Sequence, residues 1–248
     1  MPPRPSPASN GIRGAYETFG VQGFYEAHGQ AYSNPHNDQI IKAVAALMSS
    51  QQFGEQPDQQ LRVFDLACGS GEATLALQAW ASSVPQRTQQ QAQRAQQMQT
   101  QTQTQQLLQQ QQQEQQLPGW RSDTGGAACS VAGPLDITAC DPYTHEAYLR
   151  RTGRTAQHWS FQDIADGCLA GRSFDLCMCS FALHLCDASC LFITLYQLAC
   201  HCRWLAVLAP HKQPAVKAEH GWAAVHAFRV DRVHVRLYSS LRWGEQLG

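Results

Sequence analysis

The sequence lacks the features that mark membrane and nucleic-acid-binding proteins. No apolar run approaches the roughly 20 residues that a helix needs to cross a bilayer. Lys and Arg number 18 against 19 Asp and Glu, a net charge of −1, so no basic excess indicates a nucleic-acid or anionic-membrane partner. The Pro-rich Met1–Gly14 has no apolar signal core. We therefore expect a disordered leader, a cytoplasmic protein, and neither a membrane nor a nucleic acid as partner.

The usual spacing of zinc ligands is also missing, although ten cysteines are present. Cys177–Cys179 and Cys200–Cys202 are C-x-C motifs, whereas zinc sites space their cysteine pairs more widely. Cys186 and Cys190 have helical spacing but no second pair of ligands. We therefore expect reduced, buried thiols that act as small apolar residues, and no metal.

Short apolar runs alternate with helical patterns along most of the chain. Runs typical of buried strands are Leu61–Cys68, Leu135–Asp141, Phe174–Ala182 and Trp204–Ala209, and a further strand is expected near Thr155–Gln162. Helical patterns cover Asn37–Ser50, Glu72–Ser83, Tyr143–Thr152 and Ala188–Cys202, and two extended segments follow at Ala223–Val230 and Arg232–Ser239. This alternation predicts a doubly wound α/β fold with a mostly parallel sheet, whose ligands bind at the carboxyl ends of the strands.

One long segment breaks the alternation. Gln86–Leu117 is dominated by glutamine and has too little apolar surface to offset its ordering entropy. We therefore interpret residues from about Ser83 to Val131 as a disordered, low-complexity insertion in a single domain that spans residues 15–248. Long surface insertions cost little closure entropy, so we expect the tract to be dispensable.

A glycine turn after the first apolar run is the strongest motif. Asp65 stands at the predicted strand end, where a carboxylate can receive an ammonium group, and Gly69 and Gly71 allow a tight turn close to a ligand. The segment resembles the first motif of the class I S-adenosylmethionine (SAM)-dependent methyltransferases, acid-x-Gly-x-Gly-x-Gly, with Ala67 at the first glycine position. A dinucleotide fingerprint would need glycine where Thr74 stands.

An acid ends the next predicted strand. Asp141 stands where doubly wound folds place a carboxylate on the ribose hydroxyls, about 20 residues after the glycine turn. Here it lies 70 positions beyond Gly71, and removal of the proposed insertion restores a normal spacing. The alternative is a turn residue before Pro142.

The resemblance implies further cofactor contacts. By position, Asp163 would accept the adenine amino group and Ile164 would offer its backbone N–H, although a turn or helix-cap role suits Asp163 equally. Ser180 and Phe181 would lie near the transferred methyl group. Tyr25 would belong to an N-terminal aromatic lid over the cofactor, together with Tyr32, although a hydrophobic staple and turn before the next helix suit this segment equally.

Histidines and a lysine are the candidates for contacting the methyl acceptor. His184 is a candidate general base, because imidazole titrates near neutrality, and the alternative is a packed or surface histidine. His211 and Lys212 follow the fifth strand, where they either bind an anionic substrate or form a solvated loop.

The family resemblance implies a seven-stranded methyltransferase sheet, SAM as cofactor, and methyl transfer to a small-molecule or protein acceptor. The chain lacks the Asn/Asp-Pro-Pro-Tyr tetrapeptide of enzymes that methylate adenine or glutamine amino groups. Two alternatives stay open: a catalytically silent methyltransferase-like scaffold, and an NAD-dependent oxidoreductase.

Overall fold

The computed structural model of the chain describes residues 20, 23–50, 60–83, 98 and 135–244. The predicted leader Met1–Gly14 and the glutamine tract Gln86–Leu117 lie outside these residues. Within them, the helices are α1 (residues 23–28), α2 (Asn37–Met48), α3 (residues 72–83), α4 (His145–Thr152), α5 (Phe161–Ala165) and α6 (Ala188–His201). The strands are β1 (Leu61–Leu66), β2 (Leu135–Cys140), β3 (Phe174–Ser180), β4 (Cys202–Ala209), β5 (Trp222–Val230) and β6 (Val233–Ser240). None of the helices so described is long and apolar enough to cross a bilayer.

The six described strands form one sheet in the order β2-β1-β3-β4-β6-β5. The first four are parallel, and β6 runs antiparallel to both β4 and β5. From β1 the chain crosses to β2 on one side and later returns to β3 on the other. This reversal confirms the predicted doubly wound class, and it creates a crevice at the carboxyl end of β1 where such folds bind ligands.

Each face of the sheet carries its own apolar core, because alternate strand residues point to opposite sides. Val63 of β1 packs with buried residues of α2 and α3, whereas Phe64 and Leu66 pack with residues of α5 and α6. Helices therefore cover both faces of the sheet. Because β2, β1, β3 and β4 are parallel, their carboxyl ends lie at one edge.

Two predicted elements differ in the structure. The strand expected at Thr155–Gln162 is reduced to a single parallel bridge between Cys140 and Gln157. The reason is local: Ser160 accepts a hydrogen bond from the backbone N–H of Asp163, and the Asp163 carboxylate accepts one from the Ser160 backbone. This capping box begins α5 inside the segment predicted as a strand. The predicted helix at Tyr143–Thr152 begins later, at His145.

Candidate functional site

A cavity of about 480 Å³ opens at the carboxyl ends of β1, β2 and β3. Its walls come from segments that are far apart in the sequence but meet at this edge of the sheet. They are Tyr25, Tyr32 and Asn34 from the N-terminal segment, Ala67–Gly69 after β1, Asp141–Tyr143 after β2, Trp159–Gln162 before and within α5, and Ser180–Ala182 after β3. Six of the predicted site residues line this cavity: Tyr25, Ala67, Gly69, Asp141, Ser180 and Phe181.

The glycine turn after β1 contacts both the cavity and the protein core. Ala67 and Gly69 line the cavity, and both have a left-handed backbone, with φ of 53° and 57°. A Cβ on Gly69 would lie 3.1 Å from the ring of Tyr32. Gly71 differs from the expectation, because it does not line the cavity and a Cβ there would clash with Thr152 and crowd Tyr148 of α4. Its close approach is to a helix, not to a ligand.

Asp65 also differs from the expectation that it receives a ligand's ammonium group. Its side chain is fully buried and does not line the cavity. Oδ2 accepts a hydrogen bond of 2.6 Å from Thr74 Oγ1 of α3, and Oδ1 has no partner among the described residues. Burial raises the pKa of Asp65 to about 7, because the charged carboxylate is removed from water. Asp65 therefore lies in the core behind the glycine turn, and not at the cavity where a ligand would meet it.

Asp141 lies at the cavity wall, at the carboxyl end of β2. Its Oδ1 accepts hydrogen bonds of 2.9 Å from the backbone N–H groups of Tyr143 and Thr144, and Oδ2 accepts one of 3.2 Å from Gly69. The carboxylate thus joins the two loops at the ends of β1 and β2. Each carboxylate oxygen accepts about two hydrogen bonds, so Oδ2 keeps one free position. Asp141 can therefore accept one ligand hydroxyl without losing these contacts, where the sequence suggested two.

Neither predicted adenine contact points into the cavity. The carboxylate of Asp163 is bound to Ser160, which lowers the pKa of Asp163 through their hydrogen bonds. Ile164 is buried in the core, and its backbone N–H donates to the Ser160 carbonyl at 3.2 Å. The capping box explains why Asp163 and Ile164 both lie away from the cavity. The neighbouring residues Phe161 and Gln162 line it instead.

The loop after β3 places one aromatic ring, that of Phe181, at the cavity. Phe181 has a left-handed backbone, with φ of 57°, and its ring stacks on His36 at 4.9 Å between centroids. Non-glycine residues rarely adopt this conformation, and such strain is concentrated at ligand sites. His184, the predicted base, is exposed in the 3-10 turn Leu183–Leu185 and does not line the cavity.

An aromatic cluster closes the cavity from the N-terminal side. The Tyr25 ring lies 5.4 Å from that of Tyr32 and stacks at 6.0 Å on Tyr143, which follows β2. Tyr143 and the cavity-lining Trp159 were missed from the sequence, because neither belongs to a short motif.

An ion pair between a buried carboxylate and a partly exposed arginine ties this N-terminal segment to the glycine turn. Glu72, at the start of α3, is almost fully buried and accepts hydrogen bonds from the Asn34 backbone at 3.0 Å and from Arg151 at 2.6 Å. Arg151 also donates to Asn37, and Arg150 donates to the Gln30 carbonyl. We call Glu72, Arg151 and Asn34 the latch. Sequence patterns missed it because its members are far apart in the chain.

The described cysteines are reduced and mostly buried. Cys186 and Cys190 lie with their sulfur atoms 3.5 Å apart beside the cavity. No group of three or more His, Cys, Asp or Glu side chains within the described ranges is placed to hold a metal ion.

Comparisons with known proteins give one curated relative. The chain is 31% identical over 244 residues to the uncharacterized protein C17A5.05c of Schizosaccharomyces pombe, with 89% of each chain covered. No family model matches. Among solved structures, a ribosomal protein L11 methylase from Lactobacillus delbrueckii subsp. bulgaricus is similar at 14% identity and a TM-score of 0.46, over 84% of this chain and 80% of that one. A magnesium protoporphyrin IX methyltransferase from Synechocystis PCC 6803, crystallised with bound SAM, has 14% identity and a TM-score of 0.46, over 96% and 100%.

Proposed function

We propose that this chain, which belongs to the same family as the Schizosaccharomyces pombe protein, is a SAM-dependent methyltransferase acting on a small-molecule or protein acceptor. One observation carries the proposal. A carboxylate with an open acceptor position, Asp141, faces a cavity at the point where the strand order reverses, beside a glycine turn of methyltransferase type. In this proposal, residues 15–248 form one domain interrupted at about residues 83–131.

The residues around the cavity fit the parts of SAM. A ribose hydroxyl suits the open position on Asp141 Oδ2, because a carboxylate is a strong acceptor. An adenine ring suits the wall formed by Trp159, Phe161 and Gln162, which offers apolar rings and one amide. The methionine end suits the Gly69 turn, where a side chain would meet Tyr32.

When bound, SAM supplies a methyl group activated by its sulfonium. The protein then has to align the acceptor and exclude water, which are the main contributions to such a displacement. Tyr25 and Tyr32 shield the cavity, and Ser180 and Phe181 border its inner end. A base is required only if the acceptor arrives protonated. With His184 outside the cavity, we assign no general base.

Calorimetry with S-adenosylhomocysteine tests the proposal through Asp141. We expect Asp141→Ala to weaken binding about tenfold to a hundredfold, since one charge-assisted hydrogen bond contributes about 1.5–3 kcal/mol. Asp141→Asn keeps one oxygen that accepts hydrogen bonds from the loop N–H groups. This variant therefore distinguishes the effect of losing the charge from the effect of losing the loop structure. The matched control is Asp136→Ala, an exposed acid at the opposite end of β2, which should leave affinity unchanged.

Three outcomes count against the proposal. They are no binding of SAM or S-adenosylhomocysteine to the folded wild type, tighter binding of NAD than of SAM, and equal affinity in the folded Asp141→Ala and Asp136→Ala variants. Thermal unfolding of each variant identifies those that stay folded. A methyl-label screen of lysate fractions then separates an enzyme from a scaffold that binds SAM without turnover.

A further inference from the structure

Basic side chains gather at the same edge of the sheet, beyond the cavity. β4 ends at Ala209, which pairs with His234 of β6, and His234 pairs in turn with Arg229 of β5. The loop after β4 carries His211 and Lys212. Arg236 lies on the same face of β6 as His234, two residues along the strand. We call His211, Lys212, Arg229, His234 and Arg236 the basic cluster.

Arg236 holds the loop after β4 against the sheet. Its Nη1 donates to the carbonyl oxygens of Lys212 and Pro214, at 2.6 and 3.0 Å. Nε and Nη2 are buried and have no hydrogen-bond partner in the part of the chain that the structure describes. The guanidinium thus fixes the position of Lys212 while its own charge stays uncompensated.

No carboxylate neutralises the basic cluster among the described residues. The nearby acid, Asp231, pairs through its carboxylate with Lys42 of α2 at 3.1 Å, and only its backbone carbonyl accepts from Arg229. Partial burial lowers the pKa of His234, as do the positive charges of Arg229, Lys212, Arg236 and His211. A group of like charges without a counterion is unfavourable, and a bound anion would relieve it.

The basic cluster lies within reach of the cavity. Ser180 ends β3 and pairs with Leu208 of β4, and Phe181 donates its backbone N–H to the Leu208 carbonyl at 2.7 Å. β6 is the second strand from β3, so about 10 Å along the sheet edge separates the two sites, at about 4.8 Å per strand. A small acceptor molecule is long enough to span that distance.

We infer that the basic cluster binds an oxyanion, a carboxylate or a phosphate, carried by the methyl acceptor and lying about 10 Å along the sheet edge from the end of β3. The assignment of the anion to the acceptor rests on the proposed methyltransferase function. A discrete small acceptor is favoured over a nucleic acid, because the whole chain carries a net charge of −1 and the cations form one patch.

The test uses the full chain, with inorganic phosphate and acetate as probes. Histidine NMR signals are followed during titration, because His211 and His234 belong to the basic cluster. We expect saturable shifts of these two signals, and a double variant Lys212→Gln/Arg229→Gln that binds the probe at least about tenfold more weakly. Both substituted residues are exposed, so the fold should persist. The matched control is Arg203→Gln, an exposed arginine at the amino end of β4.

The outcomes separate this inference from the proposed function. Tighter phosphate than acetate binding indicates a phosphorylated acceptor, and the reverse indicates a carboxylate. Equal probe affinity in the wild type and the double variant would overturn the inference. So would an RNA mixture that binds more tightly than phosphate and loses affinity in the same variant. S-adenosylhomocysteine affinity, measured separately, should be unchanged by the double variant. If it is undetectable in the wild type, the proposed function fails while the anion site is judged on its own titration.

Discussion

At the scale of single residues, two acids near one turn have opposite environments. Asp141 is held by three backbone N–H groups and reaches the cavity, whereas Asp65 is enclosed by the core with one hydroxyl partner. Burial penalises the charged form of the Asp65 carboxylate. Their roles therefore differ: Asp141 is suited to bind a ligand, and Asp65 to hold α3 against β1.

The buried Asp65 should make stability depend on pH. Its pKa is about 7 in the folded protein and about 3.9 in an unfolded chain. Between these values the folded state holds the proton more tightly, so the contribution of Asp65 to stability falls as pH rises from about 4 to about 7. Asp65→Asn removes this dependence. We expect the stability of the variant, relative to the wild type, to rise over that window by up to about 4 kcal/mol.

Urea unfolding at several pH values measures this difference. Asp136→Asn, at an exposed position, is the control and should give a difference that is nearly constant with pH. A difference between Asp65→Asn and wild type that does not change from pH 4 to 7 would contradict a raised pKa. The new amide of Asp65→Asn also changes the free energy of unfolding by an amount that does not vary with pH. This constant change does not affect the slope of the stability difference against pH.

The backbone alone decides the position of some of the predicted site residues. Ala67, Gly69 and Asp141 reach the cavity because a strand end and a tight turn place them there. Asp163 and Gly71 do not line the cavity, because a local hydrogen bond to Ser160 holds Asp163 and a helix distant in the sequence packs against Gly71. Competing contacts of this kind depend on tertiary packing, which one sequence does not reveal.

At the scale of elements, the latch joins the start of α3 to α4 and to the N-terminal segment. Glu72 is only 3% exposed and Arg151 is 32% exposed, so the pair is mostly shielded from solvent. Removal of Arg151 leaves a buried carboxylate without its cation, which costs more than removal of the whole pair.

A double-mutant cycle tests the latch. We expect Arg151→Gln to destabilise the protein by about 2 kcal/mol and Glu72→Gln by less, with a double variant more stable than the sum predicts. Lys42→Gln, which breaks the exposed pair with Asp231, should cost less than about 1 kcal/mol. Chemical denaturation gives all four values. Additive effects of the two substitutions would mean that Glu72 and Arg151 do not act as a pair.

Elements with strong apolar patterns were predicted well from the sequence. β3, β4 and α6 agree with their predicted positions within about two residues, which is the usual uncertainty of helix and strand ends. The strand at Thr155–Gln162 was wrong because the Ser160–Asp163 capping box begins a helix within this largely polar segment. The two extended segments of β5 and β6 were predicted, but their place in the sheet was not, since pairing order depends on contacts that patterns do not encode.

At the scale of the whole molecule, the glutamine tract is the largest part of the chain for which only composition gives an expectation. Deletion of Gln86–Leu117 should leave the thermal midpoint and S-adenosylhomocysteine affinity nearly unchanged, because loop length has a small effect on closure entropy. Calorimetry and thermal unfolding of the deletion variant check both. A large loss of either would show that the tract packs on the domain or contributes to the site.

The position of β6 affects the order in which the protein can be made. β6 is the last of the described strands along the chain, yet it lies between β4 and β5. While a ribosome is still translating residues before Val233, the nascent chain has no neighbour for β5, and β4 presents an unpaired edge. The sheet therefore completes only after residues 233–240 have left the exit tunnel. Until then, the open edge of β4 is the surface that a chaperone would have to protect.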